Sequence, residues 1–298
     1  MIRRLGLLLA LLAIALPARA DPVPVQADAM LRAAADKSDA VLGSTADIAK
    51  KAFPKSAHEI DALVKQLRTI AEQRKQEKLK HLTLLLGWKG HGQLGGSVTG
   101  GNTRSTGLAL ALDFSRDGLN WTHSFNASFD YQRDNGVETK SRSFASYQAN
   151  YRFSDRLYLL GLSSWESNRF SGFDSRGTES LGFGYSLVHT PVMTLQLEGG
   201  PALRQTDFVT TGPKNTIAGR AAVNCAWSML SNLKLSENMS YYNEDRDGTF
   251  TANTALTMGL VGSLSVQASY LAQYENTPAT ALLHRYNSTA RTTLVYSF

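Results

Sequence analysis

The stretch Trp121-Thr122-His123-Ser124-Phe125-Asn126-Ala127-Ser128-Phe129-Asp130-Tyr131-Gln132 places aromatic or apolar residues at odd positions and polar residues at even ones. Successive side chains of an extended strand point to opposite faces, so this is a strand with one aromatic face and one polar face. A soluble sandwich could contain one such strand. Here the pattern recurs: Leu108, Leu110, Leu112 and Phe114 alternate with Ala109, Ala111 and Asp113, and Ala145, Tyr147, Ala149, Tyr151 and Phe153 alternate with Ser146, Gln148, Asn150 and Arg152. Leu181, Phe183, Tyr185 and Leu187, and later Leu264, Val266, Ala268 and Tyr270, repeat it with Gly, Ser and Gln between them. Dyad patterns of this kind, separated by turns, are the signature of a transmembrane β-barrel.

Strands are expected to start near Lys89, Ser105, Asn120, Thr139, Arg156, Thr178, Val192, Thr216, Leu233, Thr251, Leu264 and Arg285, which makes twelve. An even count lets both ends of a closed antiparallel barrel lie on the periplasmic side. The connections alternate in character. Asp117-Gly118, Ser154-Asp155, Thr190-Pro191, Ser231-Asn232 and Gly262-Ser263 read as tight turns, whereas residues 169–177, 207–215, 243–248 and 275–281 read as longer polar loops. Short periplasmic turns and longer external loops are what such a barrel requires. The expected fold is therefore an all-β transmembrane barrel of about twelve antiparallel strands over residues 88–298, preceded by a short α-helical periplasmic segment over 21–87.

Residues 1–20 carry Arg3 and Arg4, an apolar run from Leu5 to Leu16 and small residues at Ala18 and Ala20, the pattern of a cleaved secretory signal. The run is too short to span a bilayer, which takes about 20 apolar residues. Within the helical segment, Ile60, Leu63, Val64, Leu67, Ile70 and Ala71 share one helix face, with Ser56 and Glu59 spaced as a capping box at its start. An earlier helix over about 29–42 is expected to end at Gly43, and a short turn over 45–53 to stop before Pro54. The mixed-sign tail 72–80 reads as a solvated helix end, with contact to anionic lipid or peptidoglycan as the sharper alternative.

The chain of 298 residues has 31 Lys and Arg against 25 Asp and Glu, and removal of the signal with its three Arg leaves a small, dispersed excess. That excludes a nucleic-acid binder. With 43% hydrophobic and 19% charged residues the chain is neither disordered nor collagen-like. The single cysteine, Cys225, excludes an intrachain disulfide framework and a multi-cysteine zinc site. It falls on the lipid face with Val223 and Trp227 and reads as a small apolar residue.

The first strand and turn read Gly87-Trp88-Lys89-Gly90, then Gly95-Gly96-Ser97-Val98-Thr99-Gly100-Gly101-Asn102-Thr103. This resembles the opening of the family named for salt-induced outer-membrane proteins, domain of unknown function 481, in which a Trp-x-Gly strand (here Trp88 and Gly90) leads into a Gly-Asn-Thr turn (here Gly101, Asn102 and Thr103). The resemblance covers residues 88–298. It implies an outer-membrane barrel among lipid and lipopolysaccharide and brings no established activity, cofactor or catalytic residue. The last strand ends on one face with Leu294, Tyr296 and Phe298. A terminal Phe after alternating aromatic residues resembles the signal read by the barrel assembly machinery, so Tyr296 and Phe298 are the candidate assembly signal.

Enzymatic chemistry finds little support in the residues. His123 and Ser124 are adjacent on a strand and point to opposite faces, so the one cannot activate the other as a nucleophile. His58, His81, His91, His189 and His284 are scattered without the spacing of a metal site. No catalytic, cofactor or metal residue is expected. The inward face carries Arg142, Arg152, Arg204, Arg220, Lys234 and Arg291 against Asp113, Asp130, Glu198, Glu244 and Glu275, which gives no field of a single sign. Twelve strands fall between a filled interior and an open channel, so either a narrow pore or a salt-bridged plug fits. Glu237 departs from the pattern by lying between Leu235 and Met239 on the lipid face, which calls for a local bulge or a buried partner. The function expected is a passive conduit or envelope structural protein, with a gated or helix-plugged channel for a small polar solute as the alternative and an envelope enzyme as the less favoured one.

Overall fold

The computed structural model describes residues 22–37, 39–80, 87–99, 104–244, 247–276 and 285–298. The signal-like segment, the turn residues Gly101, Asn102 and Thr103, most of the 275–281 connection, and His81 and His284 lie outside them. The chain divides into two compact units at Lys78/Leu79.

The first unit contains α1 (Val25–Ala35), α2 (Asp39–Ala52) and α3 (Ala57–Lys80). Ile60, Leu63, Val64 and Leu67 of α3 are buried in one cluster with Ala27, Leu31 and Ala34 of α1 and Leu42, Ala46 and Ala49 of α2. The apolar stripe of α3 is thus covered by its own neighbours. Ion pairs from Lys50 to Asp61 at 3.0 Å and from Arg68 to Asp39 at 2.6 Å tie the exposed edges of the same helices. The Arg32 guanidinium, hydrogen-bonded to Asp28 at 2.8 Å, holds that carboxyl below its ordinary value. Three local expectations fail. The single helix expected over about 29–42 is two helices, α1 ending at Ala35 and α2 beginning at Asp39. Gly43 lies inside α2, because Leu42, Ala46 and Ala49 continue one buried stripe past it and outweigh the roughly 1 kcal/mol that a helical Gly costs. Ser56 sits in a 3-10 turn (Pro54–Ser56), and its hydroxyl donates to the Pro22 carbonyl at 3.4 Å instead of forming the capping box.

The second unit is a closed antiparallel barrel of twelve strands: β1 (Trp88–Thr99), β2 (Ser105–Asp117), β3 (Trp121–Asp134), β4 (Val137–Arg152), β5 (Leu157–Asn168), β6 (Phe173–His189), β7 (Met193–Phe208), β8 (Gly212–Leu230), β9 (Leu233–Glu244), β10 (Asp247–Val261), β11 (Leu264–Glu275) and β12 (Tyr286–Ser297). The five tight turns fall where expected, at the end of the barrel where β1 begins. The opposite end differs from the reading as long loops. Residues 173–177 and 212–215 belong to β6 and β8, and β8 alone has 19 residues, well beyond the 9–11 that cross a bilayer. Polar residues there continue the ladder above the membrane and leave only 209–211 as the connection. Asn135 and Gly136, at φ 51° and 83°, make a two-residue hairpin turn between β3 and β4.

The outer wall carries the apolar and aromatic residues, among them Leu181 at 67% exposure and Ile217 at 79%, while the buried charges Asp130, Arg142, Arg176, Glu198, Arg204 and Arg220 lie inside. This inside-out distribution is stable only in hydrocarbon, and a closed ladder is the β-sheet form that satisfies its own backbone there. The protein is an outer-membrane barrel with an N-terminal periplasmic helical segment. No described helix is long and apolar enough to cross a membrane.

Closure depends on the chain end. Gly90 donates to the Phe298 carbonyl and Phe298 donates to the Gly90 carbonyl, both at 2.9 Å, extending the four β1–β12 pairs from His91↔Ser297 to Leu94↔Leu294. The Phe298 ring occupies the space over Gly90, where a Cβ would lie 2.4 Å from it, and meets Phe114 at 5.8 Å edge-on. Gly90→Val therefore displaces the Phe298 ring and is expected to lower barrel stability by about 1–3 kcal/mol, the range for overpacking. The check is the urea midpoint of the heat-modifiable gel shift, and an unchanged midpoint would show that the ring does not close the seam.

Candidate functional site: the charged lumen

The lumen is a chamber of about 420 Å³ lined by residues from all twelve strands, among them Gln93, Asp113, Arg142, Arg176, Arg204, Arg220 and Arg291. Its ion pairs form three groups. In the first, Glu198 of β7, 1% exposed at its side chain, accepts from Gln148 Nε2 at 2.8 Å, Tyr158 Oη at 3.0 Å and Arg220 Nη1 at 3.0 Å. Strands β4, β5, β7 and β8 thus converge on one carboxylate. Tyr158 reaches it because its register partner is Gly184, where a Cβ would come 2.0 Å from the ring. Next to this point the β6 and β7 backbones crowd together, with a Cβ on Gly200 falling 2.1 Å from the Leu181 carbonyl oxygen. Glycine is the residue type that permits that approach.

In the second group Asp130 of β3 accepts from Arg291 of β12 at 2.5 Å, and Arg142, 3.9 Å from Asp130, donates to Glu166 at 2.7 Å. Lys140 donates to Thr289 beside them. In the third, Arg176 of β6 donates to Glu275 of β11 at 2.7 Å, and Arg204 donates to Glu244, which also accepts from Thr216 at 2.7 Å. The strands β6 and β11 stand nearly opposite each other in the ring, so the Arg176–Glu275 pair crosses the lumen. Arg176 lies over the Phe173 ring at 4.0 Å and Arg204 over Tyr242 at 4.8 Å, so both guanidinia are held on two sides.

Of the residues expected to face inward, Arg142, Arg204, Arg220, Arg291, Asp130, Glu198, Glu244 and Glu275 are joined in these pairs, and Asp113 accepts from Gln93 at 3.0 Å. Arg152 stands apart: it is exposed and donates to the Gly118 and Leu119 carbonyls of a turn. Lys234 is exposed at the foot of β9, one residue into the strand. Sequence reasoning missed Arg176, Glu166, Lys140, Gln148 and Tyr158. Arg176 was hidden in a stretch read as a loop, whereas Glu166 has the same parity as Ser164 and Leu162 and could have been found from it. His123 faces outward and bonds through Nδ1 to the Tyr147 hydroxyl at 2.7 Å, stacked on Trp121 at 5.9 Å. Among the described residues no group of three or more His, Cys, Asp or Glu is arranged to hold a metal ion.

The profile of the family described as "Protein of unknown function, DUF481" matches residues 92–298. The chain belongs to this family. A curated relative, "Uncharacterized protein YdiY" of Escherichia coli strain K12, is 22% identical over 178 residues, covering 60% of this chain and 70% of the relative. Among solved structures, the translocator domain of autotransporter NalP from Neisseria meningitidis is similar with a TM-score of 0.41 and 16% identity, covering 78% of this chain and 96% of that one. An outer membrane channel from Pseudomonas putida F1 is similar with a TM-score of 0.45 and 11% identity, covering 72% and 97%. The family match begins at Gly92, so the helical unit lies outside it.

Replacing Glu198 tests the first group. Glu198→Ala leaves Arg220 and Tyr158 facing an empty carboxylate position and is expected to cost about 3–5 kcal/mol, as for breaking one side of a buried pair. Glu198→Gln keeps an acceptor and costs less. Equilibrium unfolding in urea measures both, and equal losses would mean that charge, not hydrogen bonding, holds the group.

Proposed function

We propose that this outer-membrane barrel is a narrow conduit for small polar solutes whose resting lumen is partitioned by its own ion pairs. The observation that carries the reading is the Arg176–Glu275 pair spanning β6 to β11, because a bridge between opposite walls narrows the path at its level. The α3 stripe is buried within its own unit, so it supplies no apolar face in need of a further partner. The inward charges support weak selectivity. Arg142, Arg176, Arg204, Arg220, Arg291 and Lys140 face Asp113, Asp130, Glu166, Glu198, Glu244 and Glu275, six of each sign. The accessible Tyr296 and Phe298 side chains support the further reading that the barrel assembly machinery recognises this end of the chain.

The test is single-channel conductance in a planar bilayer. Glu275→Gln, which removes the charge that holds Arg176 across the lumen, is expected to raise conductance by about twofold or more, since a narrow constriction dominates a pore's resistance. Deleting residues 22–80 is expected to leave conductance unchanged, and the reversal potential in a salt gradient is expected to lie near zero. A barrel that stays non-conducting with Glu275→Gln overturns the conduit and leaves a structural role. A rise on deletion of the helices alone restores the helical stopper.

A further inference from the structure

The eight amide side chains that line the lumen chamber divide by sector. On β1, β3 and β4 they are engaged within the chain: Gln93 donates to Asp113 at 3.0 Å, Asn126 to the Ser146 hydroxyl at 3.4 Å and Gln148 to Glu198 at 2.8 Å. On β8 to β11 the other five, Asn224, Asn238, Asn253, Gln267 and Gln273, make no side-chain hydrogen bond to any described residue. Four of them fall in two adjoining inward rows. Asn224, Asn238 and Asn253 are register partners across β8, β9 and β10, with Leu271 of β11 at the end of the row, and Ser240, Thr251 and Gln273 are partners in the next row. Neighbouring strands lie about 4.8 Å apart, so these amides and hydroxyls form one continuous patch of free donors and acceptors.

The charged groups around this patch are already in use. Each of the five arginines lining the chamber holds a carboxylate of its own chain, and the two lining carboxylates, Asp113 and Glu166, hold Gln93 and Arg142. A charged solute has to compete with an internal ion pair for its partner, whereas an uncharged one meets groups that have none. Free amides in a polar chamber face water, and a solute gains there when it returns the hydrogen bonds of the water it displaces. A hydroxyl both donates and accepts, so a small ring carrying several hydroxyls matches a wall of amides and hydroxyls. We propose that the β8 to β11 wall is a binding site for an uncharged polyhydroxylated solute of the size of a mono- or disaccharide. The chamber, at about 420 Å³, falls within the range of small-molecule sites, and Leu271 beside the asparagine row offers the C–H face of such a ring an apolar contact. The inference rests on the conduit reading for the solute's route into the chamber, and it names the class of solute that the route carries.

Saturation-transfer NMR on the full-length chain in detergent micelles reads the site directly, with glucose and sucrose as probes and glucuronate and glucosamine as charged counterparts. At least one of the two uncharged sugars is expected to bind at millimolar concentration and more tightly than either charged counterpart. Replacing two of the free amides together, Asn238→Ala with Asn253→Ala, is expected to weaken that binding about tenfold through the loss of two hydrogen bonds. Asn126→Ala, on β3 across the ring from β9 and already bonded to Ser146, is expected to leave it unchanged. The heat-modifiable gel shift controls for folding, and if the double variant does not fold, Asn253→Ala alone decides by the same titration. The proposal is overturned if neither uncharged sugar binds, if glucuronate or glucosamine binds as tightly, or if the Asn238 and Asn253 replacements weaken binding no more than Asn126→Ala does. Conductance in potassium chloride is measured on the same preparation. A barrel that binds sugar without conducting overturns the conduit alone, and one that conducts without binding overturns the site alone.

Discussion

Two hydrogen bonds between Gly90 and Phe298 complete a ladder that cannot remain open. In hydrocarbon each unpaired N–H or C=O costs several kcal/mol, so a sheet with two free edges has no stable place there. The seam between β1 and β12 is also the shortest of the inter-strand contacts, with four register pairs before the Gly90–Phe298 exchange is added. The terminal aromatic adds to it by packing where Gly90 carries no side chain. The Arg176–Glu275 and Asp130–Arg291 pairs depend on that closure, because they link strands that closure brings face to face.

The interior solves a problem that a barrel of this size creates. Too wide to be filled by apolar side chains and too narrow for a large aqueous pore, it is occupied by long charged groups that reach across. Guanidinium groups suit this task, since one can hold a carboxylate while its plane rests on an aromatic ring, as Arg176 does on Phe173 and Arg204 on Tyr242. The ends of the network are fixed by glycine. Gly184 makes room for Tyr158, and Gly182 with Gly200 lets the β6 and β7 backbones close in beside Glu198. A balance of six cations against six anions among these interacting groups permits a closed lumen at rest.

The helical unit follows a different logic. Its three helices bury a cluster built mostly from Ala, Leu and Ile, with ion pairs at the rim, and their core is complete among themselves. Small exposed ion pairs of this kind contribute less than about 1 kcal/mol each, so the unit's order comes from packing. It lies outside the stretch shared with the family, which separates its role from that of the barrel.

Alternation along the chain was enough to determine the barrel, its twelve strands and their start points to within a few residues, because a membrane strand must show one face to lipid at every second position. Parity likewise put Arg142, Arg204, Arg220, Arg291, Asp130, Glu198, Glu244 and Glu275 on the inner side of their strands. What parity cannot carry is which inner residues meet. Arg176 and Glu275 are 99 residues apart, and only the curvature and closure of the sheet set them opposite each other. The extra strand length of β6 and β8 was equally hidden, since polar residues pair above the membrane as well as they form loops, and no local signal separates the two. Gly43 and Ser56 show the same limit in the helices. Local propensity marks a stop and a cap there, but the tertiary cluster around Leu42 and Ala46 and the carbonyl of Pro22 decide otherwise, because burial of a continuous stripe outweighs a single residue's preference.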